Sequence, residues 1–305
     1  MKAVRFSEYG DVDVLHVEEV DRPEPGEGEV LLRVKAAGIN PIDWKVLHGR
    51  LAGGEPLAAP RGLGVDVAGV VEALGPGVED VAPGEDVLGN SSTPAYAEYA
   101  LSRPELLQRK PPGLSWEIAG SLGVVVGTAY ATLETLKLGT GETLLVIGAS
   151  GAVGSIATQL AVARGVRVVG TAGPPKLEQV EALGATPVAY GDGLLARLRE
   201  AAPEGVDAVL DTSGHGEIGA ALELKGNVER VLTIAYSQEA SDLGVPFHQG
   251  GGGELTRKAL QETIPLIEAG RISFPIAGVF DLGQVGDALR QSEHGHPAGK
   301  LVVVI

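Results

Sequence analysis

The chain has no cysteine among its 305 residues. Disulfides, thiolate nucleophiles, iron–sulfur clusters and thiolate-bound zinc are therefore excluded. Positive charge is also scarce, with 24 Lys and Arg against 40 Asp and Glu and a formal net charge of −16. Nucleic acids and anionic membranes attract basic surfaces, so neither is an expected partner. An anionic ligand must be captured by local backbone dipoles and a few chosen cations. No apolar run approaches the roughly 18 residues that a membrane span needs. The opening "MKAVRFSEYG" lacks the charged, apolar and small-residue series of a secretory signal, and a cytoplasmic location is expected.

What is present is ordinary globular composition, 44% hydrophobic and 21% charged, which argues against disorder. A chain of 305 residues exceeds the usual reach of one core, so two domains, or one domain with a large insertion, are expected. The first third reads as short strands, "MKAVRF", "EVLLRVKAAG", "GVDVAGVVEALG", "EDVLG" and "AYAEYAL", between turns such as "RPEPGEG", "GPG" and "APGED". Further on, apolar runs "TLLVIG", "VRVVGTA", "TPVAY", "VDAVLDTS" and "VERVLTIAY" alternate with helix-length segments. Apolar strands alternating with helices indicate a parallel sheet covered on both faces, the doubly wound α/β arrangement. A last helix, "GELTRKALQETIPLIEAG", leads to a β-like tail, "ISFPIAGVF" and "GKLVVVI", expected to rejoin the first region. The glycine run 250–253 reads as a mobile loop.

The segment Gly148-Ala149-Ser150-Gly151-Ala152-Val153-Gly154 places glycines at every third position between a strand and a helix whose Val153, Ile156, Ala157 and Leu160 share one face. Gly151 lets backbone approach a pyrophosphate, Gly154 lets helix pack on strand, and the helix N-terminus supplies N–H donors and a positive dipole end. Glycines also serve ordinary tight turns, but the strand–turn–helix context favours a dinucleotide. NAD sites usually place an acid on the ribose 2′-OH at the end of the second strand. Here that stretch is "VVGTAGPPK", with no acid before Glu178, while Thr171 offers a hydroxyl and Lys176 a cation. A 2′-phosphate meets no repulsion there and gains a charge-assisted bond, so NADPH is the expected cofactor.

At this point the chain resembles the zinc-free quinone oxidoreductases of the medium-chain dehydrogenase/reductase superfamily, the zeta-crystallin-like branch. The likeness is carried by "AAGINPIDWK", "GVDVAGVVEALGPGV", "AYAEYAL", "GTAYATLETL", "GETLLVIGASGAVG", "LGA" at 183–185 and "GKLVVVI". The resemblance implies a GroES-like, β-rich catalytic domain, residues 1–118 and 270–305, with a Rossmann domain inserted at 119–269. It implies hydride transfer from NADPH to a quinone or an α,β-unsaturated carbonyl, and the expected assembly is a homodimer. The superfamily's alcohol dehydrogenases hold zinc with a Cys after "AGI" and a "GHE" segment. In this chain those stretches carry Asn40, and Val65 with Asp66, so no metal ligand set is expected.

The resemblance also implies the site residues. Asn40 and Thr128 fall near the nicotinamide, with Asn40 the catalytic candidate through its amide. Gly151, Ala152, Val153 and Gly154 fall at the pyrophosphate, and Lys176 and Tyr190 at the 2′-phosphate; Ser150 and Thr171 are further cofactor-binding candidates from their positions beside these residues. The alternative for Asn40 is a cap on the turn before Pro41.

Rival readings are a non-catalytic NADPH-binding protein and a serine hydrolase. "GASGA" approximates the G-x-S-x-G elbow, with His294 or His296 as late base, but its fifth position is Ala and most of the sheet follows the turn. No Tyr has Lys four residues on, which excludes a short-chain reductase. His294-x-His296 reads as a solvated turn rather than half a metal site. Trp44 and Tyr130 either stack on a flat substrate or fill the core. Asp43 and Lys45, flanking Trp44, read as a solvated charge pair with no proton-transfer role.

Overall fold

The computed structural model describes residues 1–235, 237–295 and 299–305. Tyr236 and His296 lie outside the described residues. The strands are β1 (Lys2–Phe6), β2 (His16–Glu19), β3 (Val30–Gly38), β4 (Arg61–Gly62), β5 (Asp66–Leu74), β6 (Asp86–Asn90), β7 (Tyr99–Ser102), β8 (Leu107–Arg109), β9 (Thr143–Ile147), β10 (Arg167–Ala172), β11 (Thr186–Ala189), β12 (Ala208–Asp211), β13 (Val231–Thr233), β14 (Ile276–Asp281) and β15 (Lys300–Val304). The helices are α1 (Pro41–Leu47), α2 (Trp116–Ala119), α3 (Gly123–Leu136), α4 (Ala152–Ala163), α5 (Leu177–Ala182), α6 (Leu194–Ala201), α7 (Ile218–Lys225), α8 (Gln238–Asp242), α9 (Gly253–Glu268) and α10 (Val285–His294).

The chain forms two compact units. The first contains Met1–Val124, Gly252–Glu268 and Phe274–Ile305. Its main sheet runs β14-β15-β3-β5-β6-β8 with β7 also on β3, and β2-β1-β4 forms a smaller sheet. The tail does rejoin the first region: β15 pairs antiparallel with β3, Val303 opposite Ala37. Val30, Leu32 and Val34 of β3 alternate inward with Val67 and Val71 of β5, and Phe6, Leu47, Tyr96, Leu301 and Val303 complete the core. Helix α9 belongs to this unit, whereas the sequence reading ended the inserted domain after it, at residue 269. Its packing against β6 and β8 is the reason, because its buried residues Thr256, Ala259, Leu260, Thr263 and Ile264 line one face.

The second unit, Val125–Gly251 with Ala269–Ser273, is built on the parallel sheet β11-β10-β9-β12-β13. Every residue of β9, Thr143–Ile147, is buried, as a central strand covered on both faces requires. Leu145, Ile147, Val169, Val209 and Val231 form its core with Leu198 and Ala221 from the helices. The chain leaves β9 toward β10 on one side and returns through β12 on the other, so the carboxyl end of β9 lies at the switch point where such sheets bind ligands.

Candidate active site

In the second unit the turn after β9 is shaped by its glycines. Gly148 has φ +78°, a left-handed conformation that favours glycine. A Cβ on Gly154 would press into the Gly148 carbonyl oxygen, so close packing requires that glycine. A Cβ on Gly151 would meet only one atom, the Gly148 oxygen at 3.3 Å, and Gly151 is exposed at the mouth of the turn. Gly151 is the N-cap of α4 with no side-chain cap, leaving the first-turn N–H groups of Ala152, Val153 and Gly154 available to an outside acceptor. A side chain at Gly151 would be tight against that backbone oxygen, and without one the exposed turn leaves room for an outside group beside these N–H donors. The turn therefore fits a dinucleotide pyrophosphate.

The turn is braced from both flanks. Thr171 Oγ1 accepts from Gly148 N–H at 3.0 Å, and Thr212 Oγ1 donates to the carbonyl oxygen of Ile147 at 2.7 Å. Thr171 is 0% exposed, so its hydroxyl holds the turn rather than facing a ribose. Thr212 was not singled out from the sequence, although "DTS" at the end of the fourth apolar run was its signal. Lys176 and Tyr190 come to the same strand ends. Lys176 closes a short 3-10 turn, Pro174–Lys176, directly after β10, and burial pushes its ammonium below its ordinary pKa. Tyr190 is half exposed, with its hydroxyl over Gly173, 2.9 Å from where a Cβ would sit.

Thr128 lies on α3, and the glycine run packs against it: a Cβ on Gly250 would come 2.8 Å from Thr128 Oγ1. Residues 250 and 251 are thus seated on α3. His248 secures them. Thr135 Oγ1 donates to Ala131 O, so it accepts from His248 Nε2 at 3.1 Å, while Nδ1 accepts from Gly250 N–H at 3.0 Å. This requires the neutral Nε2–H tautomer, and burial pushes the pKa of His248 down.

The first unit carries a buried polar cluster around Asn40. Strand β3 ends at Gly38, and Pro41 starts α1, an arrangement that leaves Asn40 as its N-cap. Asn40 is 1% exposed. Its Nδ2 donates to Asp66 Oδ2 at 2.9 Å and to Gly38 O at 3.3 Å. Its Oδ1 accepts from Lys300 Nζ at 2.7 Å. Both amide hydrogens are used, so the amide has no donor to offer a substrate oxygen in this structure; that is the difference from the catalytic reading of Asn40.

Asp66 Oδ1 accepts from Val124 N–H at 2.6 Å and Asn90 Nδ2 at 3.2 Å, and Lys300 Nζ lies 3.7 Å from Oδ2. Lys300 also donates to Ile39 O at 2.7 Å. Burial pulls both groups toward their neutral forms, raising Asp66 and lowering Lys300. Their partners oppose this. The groups hydrogen-bonded to Asp66 are donors and those bonded to Lys300 are acceptors, so the hydrogen bonds favour the charged forms against burial. Lys300 lies in the terminal "GKLVVVI", where a basic residue opening an otherwise apolar strand is its signal in the sequence.

Asp43 is not a solvated partner of Lys45. It is 2% exposed, and its Oδ2 accepts from Tyr96 Oη at 2.6 Å and Asn40 N–H at 2.8 Å. Burial pushes its pKa up to about 6. Tyr130 is a core residue with the Arg164 guanidinium 4.8 Å from its ring centroid. Trp44 is partly buried, with Arg50 at 4.9 Å and Lys45 at 5.5 Å from its ring. His294 Nδ1 bonds the Arg290 carbonyl of its own helix at 3.0 Å. Among the described residues no group of three or more His, Cys, Asp or Glu is placed to hold a metal ion.

Residues 26–133 match the alcohol dehydrogenase GroES-like domain, and residues 152–251 match the zinc-binding dehydrogenase domain. The chain is 34% identical to a 2-methylene-furan-3-one reductase of Solanum lycopersicum and 33% to an NADPH-dependent alkenal/one oxidoreductase of Arabidopsis thaliana, covering 99% of this chain and 79% of each relative. It is 28% identical to a quinone oxidoreductase of Homo sapiens over 100% of this chain and 98% of that one. Among solved structures, an NAD-dependent alcohol dehydrogenase aligns with a TM-score of 0.88 at 29% identity, over the whole of both chains. A mycobacterial protein solved with NADPH aligns with a TM-score of 0.86 at 27% identity, again over the whole of both. With both halves matched by their domain models and full-length relatives of this kind, the chain belongs to the quinone oxidoreductase, zeta-crystallin-like branch of the medium-chain dehydrogenase/reductase superfamily.

Proposed function

We propose that the protein is an oxidoreductase that transfers a hydride from NADPH to a quinone or an α,β-unsaturated carbonyl, without a metal ion. The observation that carries the cofactor choice is the acid-free end of β10, where Lys176 and Tyr190 sit and the nearest acid in sequence, Glu178, is exposed on α5. NADPH, when bound, supplies the hydride. The first-turn N–H groups of α4, from Ala152 to Gly154, hold the pyrophosphate. Lys176 and Tyr190 hold the 2′-phosphate, and Thr128, beside which Gly250 packs, lines the nicotinamide end.

The acceptor class follows from what the side chains leave undone. The Tyr96 hydroxyl is spent on Asp43, and the Asn40 amide on Asp66, Gly38 and Lys300. Neither is free to polarise an isolated carbonyl, which favours an acceptor that is electrophilic through conjugation. The protein's contribution is to hold the ring and a flat acceptor in contact and to exclude water. Relatives named for alkenals, enones and quinones support the same class. The reading includes a homodimer in the cytoplasm; no described helix is long and apolar enough to cross a membrane.

The deciding experiment is NADPH oxidation against quinones, enones, enals and saturated aldehydes. Turnover with the conjugated acceptors and none with the saturated aldehydes is expected, and the reverse order would overturn the reading. Sedimentation or light scattering of the purified protein tests the dimer.

A further inference from the structure

The buried donor set of the first unit does not fit zinc: among the described residues no group of three or more His, Cys, Asp or Glu is placed to hold a metal ion. Zinc takes close tetrahedral nitrogen and sulfur ligands, with carboxylate oxygen a lesser choice. Here the stretches that resemble zinc-ligand segments present the Asn40 amide and Asp66, flanked by the apolar Val65. Asp66 Oδ1 is committed to Val124 N–H and Asn90 Nδ2, and Oδ2 to Asn40 Nδ2. The cation among these oxygens is already covalently part of the chain. Lys300 Nζ donates to Ile39 O and Asn40 Oδ1 at 2.7 Å each, and Asp66 Oδ2 lies at ion-pair distance, 3.7 Å.

We propose that Lys300 is the resident cation of this site: a positioning residue that balances Asp66, orients the Asn40 amide, and fills the place that zinc would otherwise claim. The carboxylate lies at the start of β5, the amide just past the end of β3, and the ammonium at the start of β15. These are adjacent strands in the order β15-β3-β5, so one side chain ties three strand ends together. The link fixes the Gly38–Pro41 corner from which α1 and Trp44 depart. Asp43 and Tyr96 also face the cluster and add one carboxylate to its charge balance. An ammonium suits this set because every acceptor it meets is an oxygen and the adjacent carboxylate is already filled with N–H donors. A divalent ion would have to displace them.

The test uses three variants of the full chain. Lys300→Met keeps the stem and removes the charge, Asp66→Asn removes the opposite charge, and the double variant removes both. Lys300→Met should melt roughly 10 °C below the parent, because it leaves a buried carboxylate unbalanced. The double variant should recover at least half of that loss, since the amide introduced by Asp66→Asn can donate to a flipped Asn40. Such recovery separates charge balance from space filling, which the second substitution would only worsen. In steady-state kinetics Lys300→Met should lower kcat at least tenfold with KM for NADPH within twofold. A Lys300→Met protein that melts and turns over like the parent overturns the proposal, as does a double variant no more stable than the single one. Metal analysis adds an independent arm: stoichiometric zinc retained by the purified parent and lost in Asp66→Asn would also overturn it.

Discussion

Lys300 and Asn40 stand 260 positions apart in the chain, and the ammonium of one donates to the amide oxygen of the other at 2.7 Å. That bond sets which way the Asn40 amide points: with Oδ1 on a donor, Nδ2 is left for Asp66. The cluster is therefore a chain of dependent choices, and removing any member leaves a buried neighbour unsatisfied.

Asn40→Ala should be destabilising before it is anything else. It strips Asp66 of one donor and Lys300 of one acceptor, each buried, a loss of about 2–4 kcal/mol in total. Denaturant unfolding checks this. A variant as stable as the parent would mean that the cluster is satisfied by water or by rearrangement, and it would return the amide to the list of groups free to act on substrate.

Asp43 should make stability depend on pH in an unusual sense for a carboxylate. Its pKa is pushed from 3.8 to about 6, so the folded state binds this proton more tightly than the unfolded one. The resulting stabilisation is full below the ordinary value and is lost as pH rises through about 6, amounting to about 3 kcal/mol by linkage. Asp43→Asn still offers an oxygen to Tyr96 and to Asn40 N–H, and carries no proton to lose. Its unfolding free energy should be flatter across this window and higher than the parent's at neutral pH. An unchanged pH profile in Asp43→Asn would place the titration elsewhere.

Gly154→Ala and Gly151→Ala should separate fold from binding. The first drives a methyl group into the Gly148 carbonyl and should lower stability by about 1–3 kcal/mol along with cofactor binding. The second meets only the Gly148 oxygen at 3.3 Å, so the fold should hold while NADPH binding weakens about tenfold through crowding of the pyrophosphate. Fluorescence titration and thermal melting on both variants check the contrast, and equal behaviour would remove Gly151 from the cradle.

Lys176→Ala should weaken NADPH by about 1–3 kcal/mol, the scale of a charge-assisted bond, and leave NADH nearly unchanged. Isothermal titration with both cofactors checks it. Equal losses would show that the lysine serves the turn after β10 rather than the 2′-phosphate.

Much of this was legible because it is written locally. The buried run Thr143–Ile147, the glycine spacing and the apolar face of α4 are contiguous, and backbone geometry converts them directly into strand, turn and helix. The alternation of apolar runs with helices likewise announced the parallel sheet. Side-chain direction was less accessible. Thr171 was a fair candidate for a ribose, but alternation along β10 turns its hydroxyl under Gly148. Asp43 looked solvated beside Lys45, because a single turn of helix cannot reveal which neighbours will cover it.

By itself, the sequence determined the class of each half and the absence of thiolate chemistry, since composition and short-range periodicity act through local backbone preference and do not depend on distant partners. Only the tertiary structure decided what surrounds Asn40. The antiparallel pairing of β15 with β3 brings the two ends of the chain into register, Val302 opposite Gly38, and so delivers Lys300 to the corner after Gly38. A buried lysine is tolerable only where oxygens already converge, and that convergence is a property of three strands meeting, not of any stretch along one.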